Sequence, residues 1–420
     1  MLRTIVQGFS PLKIPNFRMY ISGQAVSLIG TWLQVTAQSW VVWELTHSEA
    51  ALGVVAMLGS LPILILGPWA GVLADRVNRR GLLIFTQAGM MLLAFTLAVL
   101  VQFQVVQLWH VYMLSTLVGV LSALDFPTQQ AFLGDLAGMG EVRKAVNMNA
   151  MFFQASRMIG PALAGWVISQ WGASTAFWLN GLSFLAVISS LVAVRANQVQ
   201  RPPSGNSVLA DLWDGMRFLR GQPRIQDLLI LSICITLLAL SMMTMMPAFA
   251  SKQLNGNAST LGLLLAASGG GALTSVVFIM PLAQSRKRVG LVMSLAVMWA
   301  GGWFLLLSIV HWLPLAMLCL FALSISLPLV IAMSMGLIQI LTPGEMRARL
   351  ISLFTMVSFG MQPLSALLIG GSSERLGVAT VAAINGTLLV LSGLGMLFLR
   401  KGLRQWQVQS PISNESVNHA

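Results

Sequence analysis

The sequence predicts an all-α membrane protein of twelve transmembrane helices in two pseudo-symmetric six-helix bundles. Three observations carry that expectation. Hydrophobic residues fill 56% of the 420 positions and charged residues only 9%, against about 25% charged in an ordinary soluble domain. With 12 acids and 24 bases the chain cannot cover a globule of this size, so lipid is the solvent for most of it. Apolar runs of about 20 residues or more, the length a helix needs to cross a bilayer, follow one another with short polar gaps. The chain also repeats itself. Leu52-Gly53, Gly81-Leu82 and Arg79 match Leu261-Gly262, Gly290-Leu291 and Arg288 at an offset of 209, and Gly172, Thr175, Asn180 and Gly181 match Gly377, Thr380, Asn385 and Gly386 at 205.

The bases orient the spans. With the N-terminus in the cytoplasm, 21 of the 24 Lys and Arg fall on the inner side, only Lys252 and Arg375 fall outside, and Arg157 lies within a span. Such asymmetry is topology charge. A net charge of +12 confined to the gaps between apolar runs offers no basic face for nucleic acid. Cys234 and Cys319 sit inside apolar runs and imply no disulfide framework. The first apolar run is expected to be retained as a span, because no small-residue cleavage site follows it.

Taken in order, the spans are 19–45, 50–74, 81–103, 108–134, 145–171 and 173–194, an N-terminal bundle over 1–194. A cytoplasmic linker, 195–224, opens with Pro202-Pro203-Ser204-Gly205-Asn206. It ends in an amphipathic helix with Leu209, Leu212, Trp213, Met216 and Leu219 on one side, expected to lie on the membrane surface. Spans 225–250, 258–284, 289–309, 313–341, 350–374 and 378–399 form a second bundle over 225–404, and 405–420 is a polar cytoplasmic tail.

Polar residues inside the spans are the candidates for chemistry. Gln24, Gln34 and Gln38 in span 1, Gln130 in span 4, Gln154 in span 5, Gln339 in span 10 and Gln362 in span 11 are candidates for a cavity lining; interhelical bonding is the alternative for each. Gln34 and Gln38, four apart, share a helix face. Met242, Met243, Met245 and Met246 in span 7 offer an adaptable apolar wall, or pack against lipid. Asp125 in span 4 and Arg157 in span 5 lie about 13 and 18 Å from the inner ends of their spans. Such charges cost roughly 2.5–3.5 kcal/mol at a helix centre, so pairing or hydration is expected. They are either a structural pair packing spans 4 and 5 or a proton-coupling site, in which Asp125 is protonated and released during the cycle. Span 5 also carries Gly160-Pro161-Ala162-Leu163-Ala164-Gly165, which permits a bend and tight packing.

Between spans 2 and 3 stands Gly71-Val72-Leu73-Ala74-Asp75-Arg76-Val77-Asn78-Arg79-Arg80. A carboxylate at the membrane boundary needs a partner, either these arginines or the inner N-terminus of span 11. A charged turn that only fixes topology is the alternative. The segment resembles the loop 2–3 motif G-x-x-x-D-R-x-x-R-R of the major facilitator superfamily. The second-half counterpart, Met280 to Arg288, keeps the bases but has Gln284 in place of Asp75. Phe17-Arg18 with Gly23-Gln24, Ala123-Leu124-Asp125-Phe126-Pro127, Arg157-Met158-Ile159-Gly160-Pro161 and Arg347-Ala348-Arg349 are similar to the drug:proton antiporter branch that includes macrolide pumps and the enterobactin exporter.

The resemblance implies that Gly71, Asp75, Arg76, Arg79 and Arg80 act as a conformational latch of the outward-open state. It implies that Gly160, Pro161 and Gly165 form an antiporter-like motif, although Ala164 replaces the first glycine of the usual pair and the arginine many drug antiporters carry in span 4 is absent. The expected function is export of a small molecule, a drug, antibiotic or siderophore, against protons by alternating access. The setting would be a bacterial inner membrane, with lipid the only other partner and the chain a monomer. An importer on the same scaffold, or a membrane-embedded enzyme, is the alternative. No lysine follows a glycine, so no P-loop is expected. His47, His110, His311 and His419 have no metal-ligand spacing, and no metal or cofactor is expected.

Overall fold

The computed structural model describes residues 10–138, 140–194, 208–284 and 289–399, and every regular element within them is helical. The first six expected spans are helices α1 (Pro15–Thr46), α2 (Glu49–Arg76), α3 (Arg79–Gln102), α4 (Leu108–Ala137), α5 (Val142–Trp171) and α6 (Ala173–Ala193). Beyond the linker come α7 (Pro223–Gln253), α8 (Ala258–Ala283), α9 (Val289–Ile309) and α10 (Leu313–Leu341). They are followed by α11, in two pieces (Gly344–Gly360 and Gln362–Leu376), and α12 (Val378–Leu399).

Helix therefore occupies all twelve expected spans, but among the described residues nine helices are long and apolar enough to cross a membrane, and α1, α5 and α11 are not. The shortfall has a cause. In α1, glutamine, serine and threonine interrupt the apolar run; α5 carries Arg143, Lys144 and Arg157; and α11 breaks at Met361 into pieces of 17 and 15 residues. Polarity lowers the hydropathy of the helices that give side chains to the interior.

Local chemistry explains the boundaries. The Ser48 hydroxyl accepts the Ala51 amide at 3.1 Å to start α2, and Asn78 does the same for Gly81 to start α3. Gly172 between α5 and α6 and Gly377 between α11 and α12 both hold φ at 83°, a left-handed turn that a side chain would strain. These two glycines are repeat matches, so the repeat preserves a backbone geometry. Its asparagines also do related work: the Asn180 amide donates to Gln34 of α1, and the Asn385 amide to the Leu238 carbonyl of α7.

Within the first half, α6 packs on α1 and α3, and α4 on α2; in the second, α12 packs on α9, and α10 on α8. Two seams join the halves, α5 against α8 and α2 against α11. One apolar cluster, including Phe17, Tyr20, Phe132 and Leu191, belongs to the first half alone. The other runs from Leu33, Trp40 and Leu52 across both seams through Phe249, Leu261 and Phe304. The core is thus continuous at the end away from the basic turns and divided at the basic end.

The second half is less regular. In α7, residues Thr236–Leu240 and Phe249–Gln253 form wide π turns around a tight 3-10 turn at Ser241–Met245; α8 has a π turn at Ser275–Ile279. Pro247 and Pro281 lack the N–H that would bond the carbonyls of Met243 and Val277, so the helix rewinds there. The amphipathic linker helix is present as Val208–Arg220. Its Asp214 carboxylate accepts from Arg349 at 2.9 Å, which ties it to α11. Residues 195–207, the bases Arg286 to Arg288 and the tail 405–420 lie outside the described residues.

Candidate functional site

A cavity of about 2200 Å³ lies between the halves, well above the roughly 300–1,000 Å³ of a drug-sized pocket. Both halves line it: α1 gives Trp32, Gln34 and Gln38, α4 gives Gln130, and α5 gives Phe153, Gln154 and Arg157. From the other half come Met243, Leu265, Pro328, Met335 and Gln362. Its non-α turns lie on this wall, with Leu240, Met243, Thr244, Val276 and Val277 all at the surface. The mouth is at the basic end, between Gly67, Gly71, Lys144, Leu282 and Arg349.

The opposite end is sealed where backbones meet. A Cβ on Gly53 of α2 would stand 2.6 Å from the Ala366 carbonyl of α11, and one on Gly165 of α5 would stand 2.9 Å from Ser259 Cα of α8. Neither contact admits a side chain. Polar bonds lie over the seam. Lys252 Nζ pairs with Glu49 Oε1 at 2.7 Å, and Glu374 of α11 accepts the Ser48 hydroxyl at 3.0 Å and the Ala50 amide at 3.1 Å. Glu374 thus caps a helix of the other half.

Of the seven glutamines expected at a cavity, Gln34, Gln38, Gln130, Gln154 and Gln362 line it. Gln24 and Gln339 lie away from it in this conformation. Gln24 is turned about 80° from Gln34 around the helix and is buried within its bundle. Gln339 is exposed one turn beyond Met335, past the rim. Lining and interhelical bonding are not exclusive, since Gln34 is held by Asn180 at 2.6 Å and Gln38 donates to Ser115 at 2.9 Å. Of the span-7 methionines, Met243 reaches the cavity while Met242, Met245 and Met246 are fully buried in the core, not in lipid.

Asp125 and Arg157 make no ion pair, and their surroundings differ. Asp125 is turned from the cavity toward α3, where its Oδ1 accepts from the Thr86 hydroxyl at 2.6 Å and the Gln87 amide at 3.0 Å. Arg157 stands at the cavity wall, donates to the Ser268 hydroxyl of α8 at 3.3 Å and lies 5.7 Å from the Trp32 ring centroid. Pro161 deprives the Arg157 carbonyl of its helical partner, and Gly269 of α8 packs directly against that carbonyl. Gly160 is pressed between Trp32 and Ile29 of α1, and Gly165 forms the seam. The motif Gly160-Pro161-Gly165 is therefore a packing surface on both of its sides.

In the loop motif, Gly71 lies at the cavity mouth and Arg76 is exposed. Arg79 is buried against Asp135 of α4, with both carboxylate oxygens 2.9 Å from Nη1, and Arg80 donates to the Val192 carbonyl of α6. The Asp75 side chain lies outside the described residues. At the mouth, Glu141 accepts from Ser10 at 2.6 Å and from Lys144 at 2.9 Å. These bonds, the Ser10 bond first, hold its carboxyl below the usual glutamate range.

Sequence reasoning did not single out Asp135, Glu49, Glu374 or Ser268. Asp135 follows Asp125 by ten residues at the end of the same span, a position that could have been matched to the motif's arginines. Lys252 was visible as one of two outside bases, but its partner on α2 was not.

Residues 6–419 match the protein family described as transmembrane secretion effector. YfiS of Bacillus subtilis, an uncharacterized MFS-type transporter, is 26% identical over 64% of this chain; the match spans 63% of YfiS, just under two thirds of its length. The staphyloferrin A transporter of Staphylococcus aureus is 23% identical over 92% of this chain and 97% of its own. The enterobactin exporter EntS of Salmonella paratyphi A is 25% identical over 95% and 96%. Among solved structures, the nucleoside transporter NupG superposes with a TM-score of 0.69 at 15% identity, over 93% of this chain and 98% of that one. At that identity the likeness is one of fold.

Proposed function

This chain belongs to the transmembrane secretion effector family of the major facilitator superfamily, and we propose that it is a secondary active exporter that expels a small molecule from the cytoplasm in exchange for protons. It is a transporter and not an enzyme, as its relatives and fold neighbours are. The observation that carries the reading is the cavity open at the basic end and sealed at the other. With the basic turns in the cytoplasm, that is the state in which an exporter loads its cargo.

Twelve crossings put both termini in the cytoplasm of a bacterium, with the chain a monomer in the inner membrane. The halves 1–194 and 225–404 rock about the cavity, and the linker helix rests its Trp213 face on lipid. In the outward-open state Asp75 and its arginines hold the basic ends of α2 and α11 together. Asp125 carries the proton: it is buried against a hydroxyl and an amide with no base bonded to it, so a proton gained there neutralises a charge. Relatives named for staphyloferrin A and enterobactin support a siderophore as cargo, and one named for macrolide efflux supports a drug.

Inverted membrane vesicles test direction and coupling together. An exporter accumulates cargo inside when the vesicle interior is acidic, whereas an importer does not. Asp125→Asn is expected to abolish the pH-driven component while leaving exchange of cargo across the membrane. Undiminished pH-driven uptake by that variant would remove Asp125 from the mechanism.

A further inference from the structure

The cavity wall contains no aspartate or glutamate among the described residues, but it contains three bases. Two of them, at the mouth, are already matched: Lys144 is held by Glu141 and Arg349 by Asp214, each at 2.9 Å. The third, Arg157, has only a hydroxyl and an aromatic face. Its guanidinium donates to Ser268 at 3.3 Å and stands over Trp32, and no carboxylate lies within ion-pair distance of it among the described residues. Ser268 is itself fixed by Ser324 of α10 at 2.8 Å, so the arginine is held by both halves. A guanidinium has five donors in a planar fork suited to two oxygens of one anion, and most of these remain unused here.

Its surroundings add shape. Trp32 and Phe153 meet edge to face with centroids 5.6 Å apart on the same wall. One turn before Arg157, Gln154 lines the same cavity, with its amide oxygen buried away from the open space. An arginine without a counterion beside an aromatic corner describes a ligand. It has an oxyanion for the fork and an aromatic or apolar body for the rings.

We propose that Arg157 is the charge-recognition point of the cavity and that the transported molecule is an anion, bearing a carboxylate or similar oxyanion beside an aromatic body. The proposal rests on the transport reading and narrows its substrate class. Cationic amphiphiles are disfavoured, because among the described residues the cavity wall offers them no carboxylate and sets a guanidinium without a bonded carboxylate beside the aromatic corner.

The test uses the full chain in lipid nanodiscs and three isosteric probes: 2-naphthoate, neutral 2-naphthamide and cationic 2-naphthylmethylammonium, with binding read by equilibrium dialysis. Wild type is expected to favour the anion at least tenfold over both others. Arg157→Gln should lose that preference through weaker anion binding, with the amide unchanged as the internal control for a folded cavity. Arg157→Lys should keep the order but bind the anion less well, since the fork is gone. Tighter or equal binding of the cation, absence of anion binding, or an unchanged preference in Arg157→Gln overturns the proposal. The wild-type ranking alone decides the matter if a variant does not fold. Direction is read separately: anion selectivity without accumulation in inverted vesicles removes export and leaves the anion site standing, whereas accumulation of the cationic probe does the reverse.

Discussion

Arg79 shows how a single motif residue works through a partner that its own segment does not contain. Its guanidinium and the Asp135 carboxylate are both almost fully buried, at 6% and 9% side-chain exposure. Breaking such a pair from one side strands the other charge, at roughly 3–5 kcal/mol. Arg79→Gln is therefore expected to lower the melting temperature of the purified protein clearly, and Arg79→Gln with Asp135→Asn to recover most of the loss; a double variant no better than the single one would refute the pairing. Glu49 and Lys252 form a different kind of pair, with Lys252 55% exposed and Glu49 buried. Partly exposed pairs contribute up to about 1 kcal/mol, about fivefold in a two-state ratio. Lys252→Gln should raise, by up to that factor, the labelling of a Gln38→Cys thiol by an impermeant reagent added outside. The sequence exposed Arg79, Asp125, Arg157 and five of the cavity glutamines because charge or amide in an apolar run is costly and conspicuous. It hid Asp135, Glu49 and Glu374, which sit at helix ends where carboxylates are ordinary, and it left open whether Asp125 and Arg157 meet. Spacing along two helices gives depth, not the direction in which a side chain points; here they point apart.

At the scale of helices, the seams depend on residues without side chains. Gly262 of α8 faces Gly165 of α5, and a Cβ on Gly262 would come within 2.9 Å of Gly165 Cα. Gly262→Leu cannot be accommodated by a rotamer change, because the obstacle is backbone. It should hold the seam apart, reduce transport more than tenfold and leave the protein monodisperse; transport at the wild-type rate would show that the seam need not close. The glycine was visible as a repeat match with Gly53, and Gly53 indeed lies in the other seam. Repetition thus revealed that these positions were equivalent, while their partners, on helices more than 90 residues away in the chain, had no local signature. The rewound turns of α7 and α8 were foreseeable only as prolines. Pro281→Ala restores a donor that an ordinary α-helical turn would use, and is expected to straighten the cavity wall and alter cargo affinity severalfold without loss of thermal stability.

For the molecule as a whole, composition and charge placement were enough for an all-helical membrane chain. Hydropathy understated α1 and α5 because these helices turn polar side chains to the cavity, while α11 falls short because it breaks at Met361, so a weak span was itself a clue to the site. The conformation was not legible at all, since one sequence encodes every state of the cycle. The arrangement of Glu374 has a consequence here. The first turn of α2 is completed by a carboxylate that belongs to the opposite half, and a helix deprived of its cap frays. Each time the halves part on that side, the Ala50 amide is released to solvent. Its deuterium uptake would then count openings, so that one backbone proton serves as a clock for the transport cycle without any label being attached.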